Sequence, residues 1–149
     1  MFRGNSFHTV DSKCRIIIPA RFRDVLRTSA FEKLMISKMD GALEAYPFEE
    51  WQKLEERILN KAVKSDTIRR FRRFFIGGAY DCQFDKQGRI LIPPPLREYA
   101  GIQKDIVLVG VLNHFEIWAK EKWHSEENEF ENSLISYKQM RDEIAELGL

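Results

Sequence analysis

Two stretches of the chain decide its fold. The first is Asp11-Ser-Lys-Cys-Arg15-Ile-Ile-Ile-Pro19-Ala-Arg-Phe-Arg23-Asp24. The second is Asp85-Lys-Gln-Gly-Arg89-Ile-Leu-Ile-Pro93-Pro-Pro-Leu-Arg97-Glu98. They align at a constant offset of 74, with Asp, Arg, Ile, Ile, Pro and Arg identical. A later block repeats as well. Leu43-Glu44-Ala45-Tyr46 with Trp51 matches Phe115-Glu116-Ile117-Trp118 with Trp123, at an offset of 72. Two related blocks in the same order mark a tandem duplication. The unit is about 45 residues, a size that seldom buries enough surface to stand alone. The two copies are therefore expected to complete one core.

Each copy predicts the same elements. Phe7–Val10 reads as a strand, Asp11–Cys14 as a turn, and Arg15–Ile18 as a β-branched strand stopped by Pro19. Ala20–Leu26 follows as a short helix with Phe22, Val25 and Leu26 inward. Leu34–Lys38 and Ala42–Tyr46 flank Asp40-Gly41, a strong hairpin signal. In the second copy Asp81–Phe84, the turn Asp85–Gly88 and Arg89–Ile92 lead to a helical turn from Pro93 to near Gly101. Asp105–Leu112, a turn at Asn113-His114 and Phe115–Trp118 then close the unit. Gly88 occupies the turn position that requires a positive φ.

Between the copies, Pro47 is placed at the first helical position, and Phe48, Trp51, Leu54 and Ile58 recur on one face. Ser65 is the expected cap of a second helix. Ile68, Phe71 and Phe75 line one side of it, and Arg69, Arg70, Arg72 and Arg73 the other. After the second copy, Trp123, Phe130, Leu134, Tyr137, Arg141 and Ile144 step along one acidic amphipathic helix. The expected organisation is a first module at 5–50, a helical insert at 51–78, a second module at 79–122 and an acidic helix at 123–149.

The 149 residues carry 24 Lys and Arg against 23 Asp and Glu, a net charge of +1. That balance hides an asymmetry: the segment from Lys120 to Leu147 is acidic and the remainder basic. A local basic surface can attract a polyanion whatever the net charge. Composition excludes disordered and collagen-like classes. No run of about 18 apolar residues suggests a membrane span. The Met1–Asn5 opening lacks the basic-then-apolar order of a signal peptide, so the expected location is cytoplasmic. Cys14 and Cys82 are too few for a disulfide framework or a four-ligand zinc site and read as reduced thiols.

No catalytic constellation, metal-ligand spacing or Gly-rich phosphate loop appears, and no cofactor or small-molecule substrate is expected. His8 and Asp11 lie three residues apart on a strand path and face opposite ways. The chemistry that stands out is the Asp-x-x-x-Arg turn. An Asp organises the turn, and an Arg leaves it on a strand. A Lys lies within it, Lys13 in the first copy and Lys86 in the second. An Arg fork can pair with guanine O6 and N7, while Lys supplies charge for phosphate. The competing reading is an ion pair that serves only its own hairpin. For Arg69–Arg73 a phosphate clamp competes with ion pairing to a neighbouring subunit's acidic helix or to Asp66.

The opening Met-Phe-Arg-Gly, the two Asp-turn blocks and the Tyr-Pro-…-Trp segment together resemble the MraZ family, from Met1 to about Trp123. That resemblance implies an α+β fold: tandem swapped-hairpin modules of the AbrB/SpoVT type, forming a double-split β-barrel-like core with helices outside. It implies ring-shaped homo-oligomers and a nucleoid-associated transcriptional regulator, a repressor of the division and cell-wall gene cluster. The partner would be double-stranded DNA. The DNA-contacting residues carried over are Lys13, Arg15 and Arg89, with Lys86 added by proximity. Asp11, Asp85 and Gly88 organise the turns. Cys14 replaces the family's usual Gly, so the first turn is expected to be strained or differently shaped. Gln87 aligns with Lys13, which puts the second turn's lysine one position earlier. Head-to-tail rings favour an operator of short direct repeats. The rival class is an oligomeric protein-interaction scaffold; an enzyme has the least support.

Overall fold

The computed structural model describes residues 1–27, 33–61 and 65–149. Residues 28–32, within the expected first module, and 62–64, within the expected insert, lie outside the described residues. The chain divides into two units, Met1–Ala119 and Lys120–Leu149.

The first unit holds both copies. The first contributes β1 (Asn5–Thr9), β2 (Arg15–Ile17), α1 (Ala20–Leu26), β3 (Lys33–Met39) and β4 (Ala42–Pro47). Then come α2 (Phe48–Asn60), α3 (Asp66–Phe71) and a π-turn at Arg72–Ile76. The second copy supplies β5 (Tyr80–Gln83), β6 (Arg89–Leu91), α4 (Pro94–Ala100), β7 (Asp105–Gly110) and β8 (Phe115–Ala119). Six strands form one antiparallel sheet in the order β1-β7-β8-β4-β3-β5, and β2 pairs with β6 in a separate ribbon. The class is α+β, as expected. The large sheet does not close on itself.

Strand exchange explains why neither copy is self-sufficient. The first strand of each copy pairs with a strand of the other: β1 with β7, and β5 with β3. At the centre, Glu44 faces Glu116 across β4 and β8, and Ile16 faces Ile90 across β2 and β6. Both pairs are equivalents under the repeat, so an approximate two-fold axis relates the copies. Ile16, Ile18, Ile90 and Ile92 form the buried face of the ribbon and join Leu34, Ile36, Ile106 and Leu108 in a single core. Phe2, Phe22 and Phe115 pack there with ring centroids 5.1–5.3 Å apart. This core draws residues from both copies. A smaller cluster of Tyr46, Trp51 and Phe75 seats α2 and the π-turn.

Local signals translate directly in several places. Asp40 and Gly41 both take positive φ, 55° and 78°, as a tight two-residue hairpin requires. On α1, Phe22 and Leu26 are buried and Val25 is half-buried. Other expectations need correction. Pro47 ends β4 and precedes the helix rather than opening it. Ser65 precedes α3 but makes no side-chain cap bond. The second insert helix widens into a π-turn, where Ser37 Oγ donates to the Phe75 carbonyl. A side-chain donor on that carbonyl fits local departure from regular α-helical bonding. Strand β7 ends at Gly110, and Leu112 adopts a φ of 71° in the turn that follows.

The second unit contains two helices, α5 (Lys120–Ser136) and α6 (Lys138–Ala145), where one was expected. Tyr137 between them is extended, at φ −117° and ψ 107°. A hydrophobic period reports which face is apolar and is blind to a one-residue break.

Gly110 tests the seating of the N-terminal segment. A Cβ there would fall 2.3 Å from Arg3 N and 2.6 Å from Phe2 C, both backbone atoms. Gly110→Ala is expected to destabilise the protein by about 3 kcal/mol, through displacement of that segment and of Phe2 from the core. Chemical denaturation checks this; an unchanged midpoint would contradict the close approach.

Candidate nucleic-acid interface

Both Asp-turns have the same geometry. Asp11 Oδ1 accepts the backbone N–H groups of Lys13 and Arg15, each at 2.9 Å, and its Oδ2 accepts Arg15 Nε–H at 2.7 Å. Asp85 does the same with Gln87 and Arg89 at 2.9 Å, and with Arg89 Nε–H at 2.8 Å. The backbone closes each turn identically. Asp11 N–H donates to Arg15 O and Cys14 N–H to Asp11 O; Asp85 N–H donates to Arg89 O and Gly88 N–H to Asp85 O. The Asp thus reads a short run of backbone donors and fixes the Arg that follows.

Cys14 takes a φ of 59° and Gly88 one of 74°. The expectation of a differently shaped first turn is corrected: Cys14 adopts the same left-handed conformation as Gly88. A side chain in that region costs on the order of 1 kcal/mol. Burial of the Cys14 side chain offsets part of it.

The ion-pair reading is realised, since each Asp binds its Arg. It does not exhaust the guanidinium. The Asp engages the Nε edge, and the Nη groups form another edge of the planar fork. Arg15 and Arg89 side chains remain 30% and 23% accessible. Arg89 Nη1 also lies 3.7 Å from Asp11 Oδ2, which links the two turns.

The β2–β6 ribbon brings the two turns together. Its register sets Arg15 opposite Leu91 and Arg89 opposite Ile17. Alternation along a strand then places all four on the face opposite buried Ile16 and Ile90. Ile17 and Leu91 are 55% and 54% exposed. These two aliphatic residues were missed from the sequence. The signal was available, since each is two residues beyond its Arg and shares its side of the strand. Lys13 and Lys86 are exposed in the turns.

Basic residues of the helices add to this surface. A hollow of about 220 Å³ beside the second turn is lined by Arg23, Arg27, Lys86, Asp85, Gly88 and apolar neighbours. Arg23 Nη1 reaches the turn, 2.8 Å from where a Cβ on Gly88 would lie. Arg97, its repeat equivalent, acts on the thiol of Cys14 in the first turn, opposing the upward push of burial on that group's pKa. Each turn therefore has an Arg from the other copy's helix nearby.

Electrostatics favour ionised turn carboxylates. The Arg15 backbone N–H holds Asp11 below the ordinary carboxylate range, assisted by the guanidinium and by Lys13 N–H. Arg89 and Gln87 do the same for Asp85. His8 instead contacts Ser6, with Nε2 2.6 Å from Oγ, and makes no acid–base pair with Asp11. Arg69 pairs with Asp66, as one of the two readings of that cluster required. Cys14 and Cys82 are free and buried. Among the described residues, no set of three His, Cys, Asp or Glu donors gathers at the ribbon. Among the described residues, no helix is long and apolar enough to cross a membrane.

Comparison with known proteins agrees with the duplication. A family model described as "MraZ protein, putative antitoxin-like" matches residues 1–74 and again 75–143. A protein named Transcriptional regulator MraZ from Desulforapulum autotrophicum is 56% identical over 149 residues, covering all of both chains. Its namesake from Desulfosudis oleivorans is 48% identical, again over the full length of both. One from Clostridium beijerinckii is 45% identical over 150 aligned residues and all of both chains. With a family model spanning most of its length and relatives this similar throughout, the chain belongs to the MraZ family.

Proposed function

We propose that this protein is a sequence-specific DNA-binding transcriptional regulator that reads the major groove with the β2–β6 ribbon. The observation that carries the reading is the convergence of two charged turns of the same hydrogen-bond geometry on one ribbon with a solvent-facing side. A two-stranded ribbon fits the major groove of B-form DNA. Arg15 and Arg89 serve as base readers, Lys13 and Lys86 as phosphate contacts, and Asp11, Asp85 and Gly88 as organisers. Ile17 and Leu91 sit between the arginines, where an aliphatic side chain can meet a thymine methyl. The relatives' shared name, transcriptional regulator, supports this role.

One protomer offers few base contacts, each worth about 1–3 kcal/mol of discrimination. Specific binding therefore calls for several protomers. A head-to-tail ring presents the same ribbon repeatedly and raises the effective concentration of each successive grip. The matching operator is a set of short direct repeats, and the proposed target is the promoter of the division and cell-wall gene cluster. Occupying that promoter represses it.

Replacing Arg15 or Arg89 by Ala is expected to weaken binding to the protein's own upstream region about 10-fold or more. Fluorescence anisotropy measures it, with a salt titration giving a clearly negative log–log slope. Unchanged affinity in both variants would remove the ribbon as the reader.

The turn carboxylates generate a second expectation. A carboxyl whose folded pKa is depressed adds stability above its unfolded pKa, and that stability is lost as pH falls through the folded value. Turn order is thus retained at neutral pH and fails only below the ordinary carboxylate range. Amide shifts of Lys13, Arg15, Gln87 and Arg89 report it. Asp11→Ala should disorder the first turn at neutral pH and weaken DNA binding without removing a DNA contact. A wild-type-like amide spectrum in that variant would contradict the organising role.

A further inference from the structure

The pairing of β4 with β8 sets two carboxylates face to face. Glu44 and Glu116 are direct cross-strand partners, and the approximate two-fold axis passes between them. Like charges so placed are destabilising. Each carboxylate accepts a hydrogen bond from the aromatic residue two positions on. Tyr46 O–H donates to Glu44 Oε2 at 3.1 Å, and Trp118 Nε1–H donates to Glu116 Oε1 at 3.2 Å. Tyr46 and Trp118 are themselves repeat equivalents.

His114 breaks this symmetry, because its counterpart in the first copy is Ala42. The imidazole stacks on Tyr46 with centroids 4.5 Å apart and planes 12° from parallel. Its Nδ1 lies 2.9 Å from Asn113 Oδ1. Its Nε2 faces Glu44 Oε1, 3.8 Å away. A metal-binding histidine commonly donates its other ring N–H to an outer acceptor, and Asn113 Oδ1 is placed to be that acceptor for Nδ1–H.

One donor atom from each of Glu44, His114 and Glu116 lies within 4.8 Å of the others, and all three residues are half-buried. Two carboxylates and one imidazole thus converge. The imidazole separates this trio from an ordinary acidic patch. Ca²⁺ and Mg²⁺ favour all-oxygen shells, whereas one nitrogen with two carboxylates suits a first-row transition ion.

We propose that Glu44, His114 and Glu116 bind a divalent transition-metal ion of the Zn²⁺ class, which staples the two repeats together across their approximate two-fold axis. The ion neutralises the opposed carboxylates and draws ligands from both copies, so it stabilises the fold. The site does not depend on the DNA-reading proposal.

The test uses the full chain, stripped with a chelator and titrated with ZnCl₂ near neutral pH. Calorimetry should show one ion bound per chain, and the melting temperature should rise. MgCl₂ at the same concentration should leave it unchanged. His114→Ala and Glu116→Gln should each abolish the Zn²⁺-dependent rise. Without metal, Glu116→Gln should melt no lower than the parent, because it relieves the like-charge pair. Co²⁺ added to the parent chain should give a visible d–d band that His114→Ala loses, a readout that needs no stability change. Absence of saturable Zn²⁺ binding, or a rise that survives in His114→Ala, would overturn the assignment.

Discussion

Ile16 packs against Ile90 across the β2–β6 ribbon, and the rest of the molecule depends on that pairing. Each strand is too short to persist alone. Together they bury a β-branched face on the common core and leave the other face to water. Because the two strands come from different copies, their pairing also fixes the relation between the copies. The exchange of β1 and β5 into the large sheet follows the same logic. Neither repeat can bury its apolar face without the other, so duplication and folding are one event physically.

The ribbon's buried face explains its exposed one. Alternation sends Arg15, Ile17, Arg89 and Leu91 outward once Ile16 and Ile90 are committed inward. The turn carboxylates then limit where each guanidinium can go, by holding the Nε edge. A side chain with this much rotamer freedom loses less entropy on meeting a ligand if it is already restrained. In the proposed DNA-binding role, the same ion pairs that stabilise the turns prepare the arginines for recognition. The ion pairing of the Asp-x-x-x-Arg motif and its proposed DNA-reading role are compatible within one arrangement.

Much of this was legible in the residues. The offset of 74 exposed the duplication, Asp40-Gly41 marked its hairpin, and the Asp-to-Arg spacing marked both turns. What escaped was information that only the fold carries. Periodicity within one copy cannot say that β1 pairs with β7 or β5 with β3, so the strand order was hidden. Ile17 and Leu91 share the side of their Arg by strand alternation, but that this side faces solvent appears only once β2 and β6 pair. The π-turn depends on Ser37, far away in sequence. The opposition of Glu44 and Glu116 follows from the approximate two-fold axis, which no local pattern reveals. The break at Tyr137 has no strong local signal.

The most direct test of the central claim is photo-crosslinking from the ribbon itself. A benzophenone amino acid placed at Ile17 or Leu91, positions outside the turn clamps, would be irradiated in the presence of the protein's own upstream duplex. The account predicts efficient crosslinks from both positions, competed by unlabelled specific duplex. Crosslinking absent from the ribbon, or confined to positions away from it, would contradict the claim that these two turns form one reading surface.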